Sequence, residues 1–463
     1  MPRPDQAPPK SAREAALRAL WDIDVKESYA NLALDARLTG SKLEGRDRGL
    51  ATELVYGVTR RRGAVDWAIL QVADRPLEKI DPWIRNVLRE AVYQVLYMDR
   101  VPHRAAVDEA VELAKQYGHA GVAKFVNGVL RNFLRKLPTL PWPDPAEDPV
   151  GALSVLHSHP EWLVEAWSGR YGTEEAIRLM EASNRVPPLT IRANRTKGTR
   201  EQVAEALAAE GVKTEPAPLS PDGLIVHDLT AVSFLDRLKA MKAGLFTVQD
   251  ESSMLVAPVL DPQPGWTVLD VAAAPGGKAT HLAERMAGQG KVIAVDIHAH
   301  KVELIEHAAR RLGLPNVEGV CADARELGKM MPERADAVLC DVPCSGLGTL
   351  ARRPDARWRK SESDVLNLVP IQRAILDSAA LCLKPGGVLV YSTCTIEPRE
   401  NQDLVESFVA SHPDFAFDDI RPYLPEPLRA EAGTGYIQLL PHIHGTDGFF
   451  MARMIRRPKT GTA

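Results

Sequence analysis

The hydrophobic pattern changes its period along the chain, and the changes divide it into three regions. From Ser11 to Pro138 the apolar positions recur at helical spacing. Leu50, Leu54, Val55 and Val58 form one face that runs into Arg60, Arg61 and Arg62, as an amphipathic helix requires. Ser11-Ala12-Arg13-Glu14 reads as a capping box, in which the serine and glutamate side chains satisfy N–H groups left open at a helix start. Further helices are predicted over about 84–98, 105–117 and 120–136, so residues 1–140 are expected to form a compact all-α module.

Between Pro138 and Pro149 five of twelve residues are proline, which cannot continue a helix and reads as a linker. Residues 141–240 mix a helical stretch (201–209) with short strands (189–193 and 224–227) and are expected to form a linking α/β domain. From about Gly244 strand and helix alternate. Strands are predicted over 268–271, 291–296, 317–323, 335–342 and 387–393, and helices over 278–286, 300–312 and 364–383. Repeated βα units imply a mostly parallel sheet with right-handed crossovers. Two further runs, 436–440 and 449–455, lack an intervening helix and read as an antiparallel pair at the sheet edge. The third domain is therefore placed at 241–463.

Composition narrows the class. The 463 residues, 45% hydrophobic and 25% charged, are those of a globular protein with more than one core. No apolar run approaches the ~18 residues of a membrane span. The first ten residues, rich in proline and basic groups without an apolar segment, read as a tail rather than a secretory signal, and a cytoplasmic location is expected. Five cysteines without a Cys-x-x-Cys pair argue against a disulfide framework or a zinc site, so no metal is expected and reduced thiols are available for chemistry. The net charge is −4, yet residues 1–140 hold 23 basic against 18 acidic residues. That bias points to nucleic acid at the N-terminal third.

The candidate chemistry lies in the βα region. Leu269-Asp270 leads into Ala272, Ala273, Ala274, Pro275, Gly276, Gly277 and Lys278, where small residues let the backbone approach a ligand at a helix N-terminus. Asp296 closes the second strand, at a place where a carboxylate can accept from ribose hydroxyls. Asp323 closes the third and could meet an adenine edge. Spacing alone leaves a dinucleotide as open as a single nucleoside.

Cys344, in Asp341-Val342-Pro343-Cys344-Ser345-Gly346, follows the fourth strand, and Cys394, in Tyr391-Ser392-Thr393-Cys394, ends the fifth. Neighbouring strands lie about 4.8 Å apart, so both sulfurs could reach one planar base. A thiolate adding to carbon 6 of cytosine makes carbon 5 nucleophilic enough to take a methyl group, with Asp341 as the candidate group near N3. This reasoning leaves the two thiols interchangeable. Cys321, Cys340 and Cys382 read as core thiols.

The segments 273–278, 341–346, 384–395 (Lys-Pro-Gly-Gly-Val-Leu-Val-Tyr-Ser-Thr-Cys-Thr) and 445–450 (Gly-Thr-Asp-Gly-Phe-Phe) together resemble the RNA cytosine-5 methyltransferases of the NOL1/NOP2/Sun family. The resemblance implies a Rossmann-like class I methyltransferase domain that binds S-adenosyl-L-methionine through residues 272–278, Asp296, Asp323 and Asp341. It also implies that Cys394 is the nucleophile and that Cys344 assists product release. Ala272 stands where the family often has cysteine. Gly45-Arg46-Asp47-Arg48, Val55-Tyr56-Gly57-Val58 and 125–131 are similar to the NusB-like RNA-binding domain of the RsmB (Fmu/Sun) branch, which shifts the implied substrate from tRNA toward 16S rRNA, at cytosine 967. Gln249-Asp250-Glu251-Ser252-Ser253 looks like the family segment that precedes the cofactor loop.

Arg352, Arg353, Arg357, Trp358 and Arg359 follow the Pro-Cys loop, and a basic stretch with an aromatic can hold phosphates and stack a base. Arg60, Arg61 and Arg62 are a second candidate RNA contact. The expectation is a monomeric, RNA-binding enzyme. The rivals are a tRNA cytosine-5 methyltransferase and a non-catalytic ribosome assembly factor.

Overall fold

The computed structural model describes residues 7–227 and 235–458; the first six residues of the expected N-terminal tail lie outside them. The chain forms two compact units, one of Met1–Val186 with Leu350–Lys360, the other of Pro187–Thr349 with Ser361–Ala463.

The first unit is helical. Helices Ala12–Val25, Ala30–Leu38, Gly45–Arg60, Arg62–Leu70, Pro82–Tyr97, His103–Tyr117 and Ala120–Lys136 bury a shared core that includes Leu17, Leu54, Val58, Ile69, Val87, Leu88, Val126 and Phe133. The serine half of the capping box forms, with the Glu14 amide donating to Ser11 Oγ at 3.2 Å. Glu14 itself turns to the Lys10 amide and to Arg18. The proline-rich stretch interrupts the helices as expected, but the unit continues past it through Pro149–His157, Glu161–Tyr171 and Thr173–Ser183.

Arg357 explains that continuation, and it corrects the expectation of an RNA contact there. Its side chain is fully buried. It donates to Arg60 O (3.3 Å), Ser158 O (3.1 Å), Ser183 O (2.9 Å), Leu350 O (3.4 Å) and Asn184 Oδ1 (2.7 Å). Arg60 and Ser183 end helices, and Ser158 caps a third. One guanidinium therefore satisfies carbonyls at three helix C-termini, the ends that carry partial negative charge.

Trp358 is held inward too, its Nε1–H on Thr59 O at 2.8 Å, under the Arg62 guanidinium. Arg60 is buried and donates to Ala351 O, and Arg62 is paired with Asp24 and Asp66. Four of the eight proposed RNA contacts are thus structural groups of this unit. Arg353 and Arg359 are exposed, and Arg61 and Arg352 are partly so.

The second unit holds two sheets. Strands β1 (Leu189–Ala193), β2 (Thr214–Pro216), β3 (Gly223–Val226) and β4 (Phe246–Val248) form an antiparallel sheet in the order β2-β3-β1-β4. It is backed by the helix Arg200–Ala209, whose start carries a complete Thr199/Gln202 capping box. The larger sheet contains β5 (Thr267–Asp270), β6 (Lys291–Asp296), β7 (Val317–Cys321), β8 (Ala335–Asp341), β9 (Leu383–Thr393), β10 (Phe415–Phe417), β11 (Tyr436–Leu439) and β12 (Phe449–Arg456). Its order is β10-β12-β9-β8-β5-β6-β7, with β11 also on β12.

The pairs from β9 to β7 are parallel. The order reverses at β5, the switch point where open sheets bind ligands. The run at 449–455 is not an edge strand. It lies between β9 and β10, antiparallel to both, and its buried residues Phe449–Met454 fit an interior position. Cys321 is also corrected: it ends the edge strand β7 and is exposed, whereas Cys340 and Cys382 are buried as expected. The helix Glu362–Cys382 is long and apolar enough to cross a membrane by length and composition. Here it packs on β8 and β9, burying Val365, Ile375, Leu376 and Ala379.

Replacing Arg357 with Ala should leave the carbonyls of three helix ends without a partner and destabilise the protein by on the order of 3 kcal/mol in denaturant unfolding. The exposed Arg353→Ala should change stability by no more than about 0.5 kcal/mol. Equal effects would remove the capping role.

Candidate active site

Parallel pairing of β8 with β9 sets Asp341 opposite Ser392, so the segments that leave the two strands start side by side. Cys344 and Cys394, both half-buried, have their sulfurs 3.4 Å apart. The expected convergence holds, with one refinement. Sulfurs this close leave no room for a planar ring between them.

Glycines make the close approach possible. Gly348 donates to Cys394 O at 3.0 Å, and Gly448 donates to Gly348 O at 2.8 Å. A Cβ on Gly348 would come within 2.0 Å of Gly448 O. The Pro-Cys loop, the Thr-Cys strand end and the Gly-Thr-Asp-Gly-Phe-Phe segment are thereby laced together.

The hydrogen bond to Cys394, then burial, push the Cys344 thiol well above its ordinary range. The two sulfurs lie within hydrogen-bond distance, and either can donate to the other. On the other side stands Lys278. Burial disfavours its charge, but Asp341, then the Cys394 sulfur and Asp270, outweigh that and keep it an ammonium.

Lys278 Nζ donates to Asp341 Oδ2 at 2.8 Å and sits over the Phe449 ring. Asp341 Oδ1 accepts from Ser392 Oγ at 2.8 Å. Tied in this way, Asp341 is an acceptor. Lys278 is the donor beside it.

The loop 272–276 follows β5, with Ala273 N bonded to Val295 O and Gly276 N to Ala273 O, both at 2.7 Å. Gly276 adopts φ +105° against Ile305, where a side chain would be strained, and Gly277 opens the nine-residue helix Gly277–Arg285. Asp296, nearly buried at the end of β6, accepts the His298 amide on Oδ1 at 3.0 Å. A small-residue loop at a helix start with a carboxylate on the adjacent strand fits a nucleoside cofactor. Asp323 fits less directly, because Arg325 engages both of its oxygens through Nε and Nη2.

Several groups that hold the site in place carry no local sequence signal. Arg192 of β1 is fully buried and donates to Gly277 O (2.7 Å), Thr280 Oγ1 (3.2 Å), Glu284 Oε1 (2.7 Å) and the Gln249 side chain. It ties the smaller sheet to the cofactor helix. Glu400 and Asn401, also buried, bond to the residues flanking the two cysteines. Only the long-range fold brings these partners together.

Residues 257–455 match the family model for 16S rRNA methyltransferase RsmB/F, residues 10–135 that of the NusB family, and residues 159–233 that of the RsmF/B-like ferredoxin-like domain. The chain is 42% identical over 451 residues to the probable ribosomal RNA small subunit methyltransferase B of Bacillus subtilis, covering 96% of this chain and 99% of that one. It is 34% identical to ribosomal RNA small subunit methyltransferase B of Salmonella paratyphi B, covering 90% and 92%. Among solved structures, PH0851 matches with TM-score 0.81 and 30% identity over 97% of this chain and 99% of its own. NSun6 from Pyrococcus horikoshii, solved with the S-adenosylmethionine analogue SFG, matches with TM-score 0.57 and 26% identity, covering 65% and 99%.

Asp270, fully buried beneath the loop, is raised to about 8 by burial and then by Asp341. The folded protein therefore keeps a proton that an unfolded aspartate loses near pH 3.9. Between about pH 4 and pH 8 unfolding releases this proton, so the contribution of Asp270 to stability falls as pH rises. In the cofactor-free protein, Asp270→Asn should match wild type near pH 4 and become progressively the more stable toward pH 8 by denaturant unfolding. A pH-independent difference would contradict the assignment.

Proposed function

The chain belongs to the ribosomal RNA small subunit methyltransferase B family, and on that footing we propose that it methylates carbon 5 of a cytosine in 16S rRNA, cytosine 967 by resemblance, through a covalent adduct with Cys394. The observation that carries this reading is the pair of sulfurs 3.4 Å apart beyond the ends of β8 and β9.

Cys394 Sγ adds to carbon 6 of the base, and the ring electrons shift to make carbon 5 nucleophilic. Lys278 donates to the ring as negative charge grows there, and Asp341 accepts from the exocyclic amino group. S-adenosyl-L-methionine, when bound, supplies an electrophilic methyl group, and residues 272–278 and Asp296 would hold it. Asp323 would join them once Arg325 shifts aside. After methylation water takes the proton on carbon 5, the electrons of that bond restore the carbon 5–carbon 6 double bond, and the electron pair of the carbon 6–sulfur bond returns to Cys394. Cys344, in contact with that sulfur, assists this elimination.

A base paired in rRNA cannot lie across both sulfurs, so the cytosine must leave its stack. Arg61, Arg352, Arg353 and Arg359 remain as the proposed RNA contacts, since they keep exposed surface.

Cys394→Ala should abolish methylation and form no RNA-linked species. Cys344→Ala should accumulate protein covalently joined to RNA, visible as a retarded band on a denaturing gel. Trapping by the Cys394 variant instead would reverse the roles. In a strain lacking the gene, bisulfite sequencing should show one 16S rRNA cytosine losing protection; loss in tRNA instead would refute the substrate.

A further inference from the structure

Two adjacent residues outside the cofactor and cysteine segments each bond to the residues flanking one of the cysteines. Glu400 and Asn401 join the short 3-10 turn Pro398–Glu400 to the helix Gln402–Ser411, and both side chains are fully buried. Glu400 Oε1 accepts from Ser345 N and from Gln372 Nε2, both at 2.8 Å, and Oε2 accepts from Ser345 Oγ. Gln372 Nε2 also donates to Pro343 O at 2.9 Å. The residues before and after Cys344 are thereby fixed by one carboxylate and its amide partner.

Asn401 does the same for Cys394. Its Oδ1 accepts from Thr393 Oγ1 at 2.6 Å, and its Nδ2 donates to Thr395 O at 3.0 Å and to Gln438 Oε1 at 2.7 Å. The two grips are cross-linked, since Ser345 Oγ and Thr395 Oγ1 are 2.8 Å apart and Tyr391 donates to Glu400 O at 2.7 Å.

We infer that Glu400 and Asn401 are positioning residues that divide the labour, Glu400 setting Cys344 and Asn401 setting Cys394, so that one dipeptide governs the separation of the two sulfurs. This rests on the two-thiol reading proposed above. A buried carboxylate is a poor choice for stability alone, because apolar packing of equal volume does as well or better. What a carboxylate with three donors adds is a fixed geometry for the loop it holds. Glu400→Gln keeps the size but presents an amide donor to groups that are themselves donors, which loosens the Cys344 side. Asn401→Ala frees the Cys394 side. Reacting groups displaced by ~1 Å can lose on the order of 10²-fold in rate.

The first test needs neither RNA nor methyl transfer. Phenylarsine oxide bridges two neighbouring thiols through one arsenic, forming two As–S bonds and releasing water. Peptide mapping should find it on Cys344 and Cys394 of the wild-type protein. Glu400→Gln and Asn401→Ala should each weaken capture by about tenfold or more, as loss of preorganisation does, while S-adenosylhomocysteine affinity stays at the wild-type value. Unchanged capture in both variants overturns the inference.

The second test separates the two roles. Glu400→Gln should transfer a methyl group in the first turnover and then accumulate the RNA-linked band. Asn401→Ala should slow single-turnover methyl transfer without a band. The same signature from both variants also overturns the inference. Should either variant fail to fold, Ser345→Ala and Thr393→Val each remove one of these bonds from the other end, the hydroxyl on Glu400 Oε2 and the hydroxyl on Asn401 Oδ1, and are read by the same criteria. A wild type that captures the arsenical while Cys344→Ala never links to RNA would defeat the covalent mechanism, with the clamp still judged by capture alone.

Discussion

The site depends on the parallel pairing of β8 with β9. Register Asp341 to Ser392 fixes where both segments leave the sheet, and everything reactive is counted from that point. Asp341 and Ser392 bond to each other across the pair, Asp341 then orients Lys278, and the cysteines follow three and two residues later. A slip of one residue would turn each side chain to the opposite face of the sheet. Contact between the sulfurs would be lost with it.

Much of this was legible because periodicity is a local property. The five parallel strands and their helices follow from apolar runs of strand length alternating with helical spacing, and the cofactor loop follows from its small residues. The place of β12 was not legible, since its pairing with β9 joins residues about sixty positions apart and leaves no local trace. The same holds for Arg192, Glu400 and Asn401, whose partners lie on distant segments.

Charge was the most misleading signal. Arg357 and Trp358 sit in a basic run close behind Cys344, which reads as a nucleic-acid contact. A guanidinium can instead close helix C-termini, because its five donors fan out in one plane and meet several carbonyls at once. Arg357 does so for the helices ending at Arg60, His157 and Ser183, and burial follows from that. Exposure, not charge density, separates Arg353 and Arg359 from their neighbours.

Leu350–Lys360 belongs to the helical unit although the chain on both sides of it belongs to the other. Neither unit is therefore a continuous stretch of polypeptide. A gene fragment cut at residue 186 would leave three helix ends uncapped in one product and carry Arg357 and Trp358 away with the other. Exchange of the helical unit between relatives, in the laboratory or in evolution, has to carry that insert along as an obligate companion.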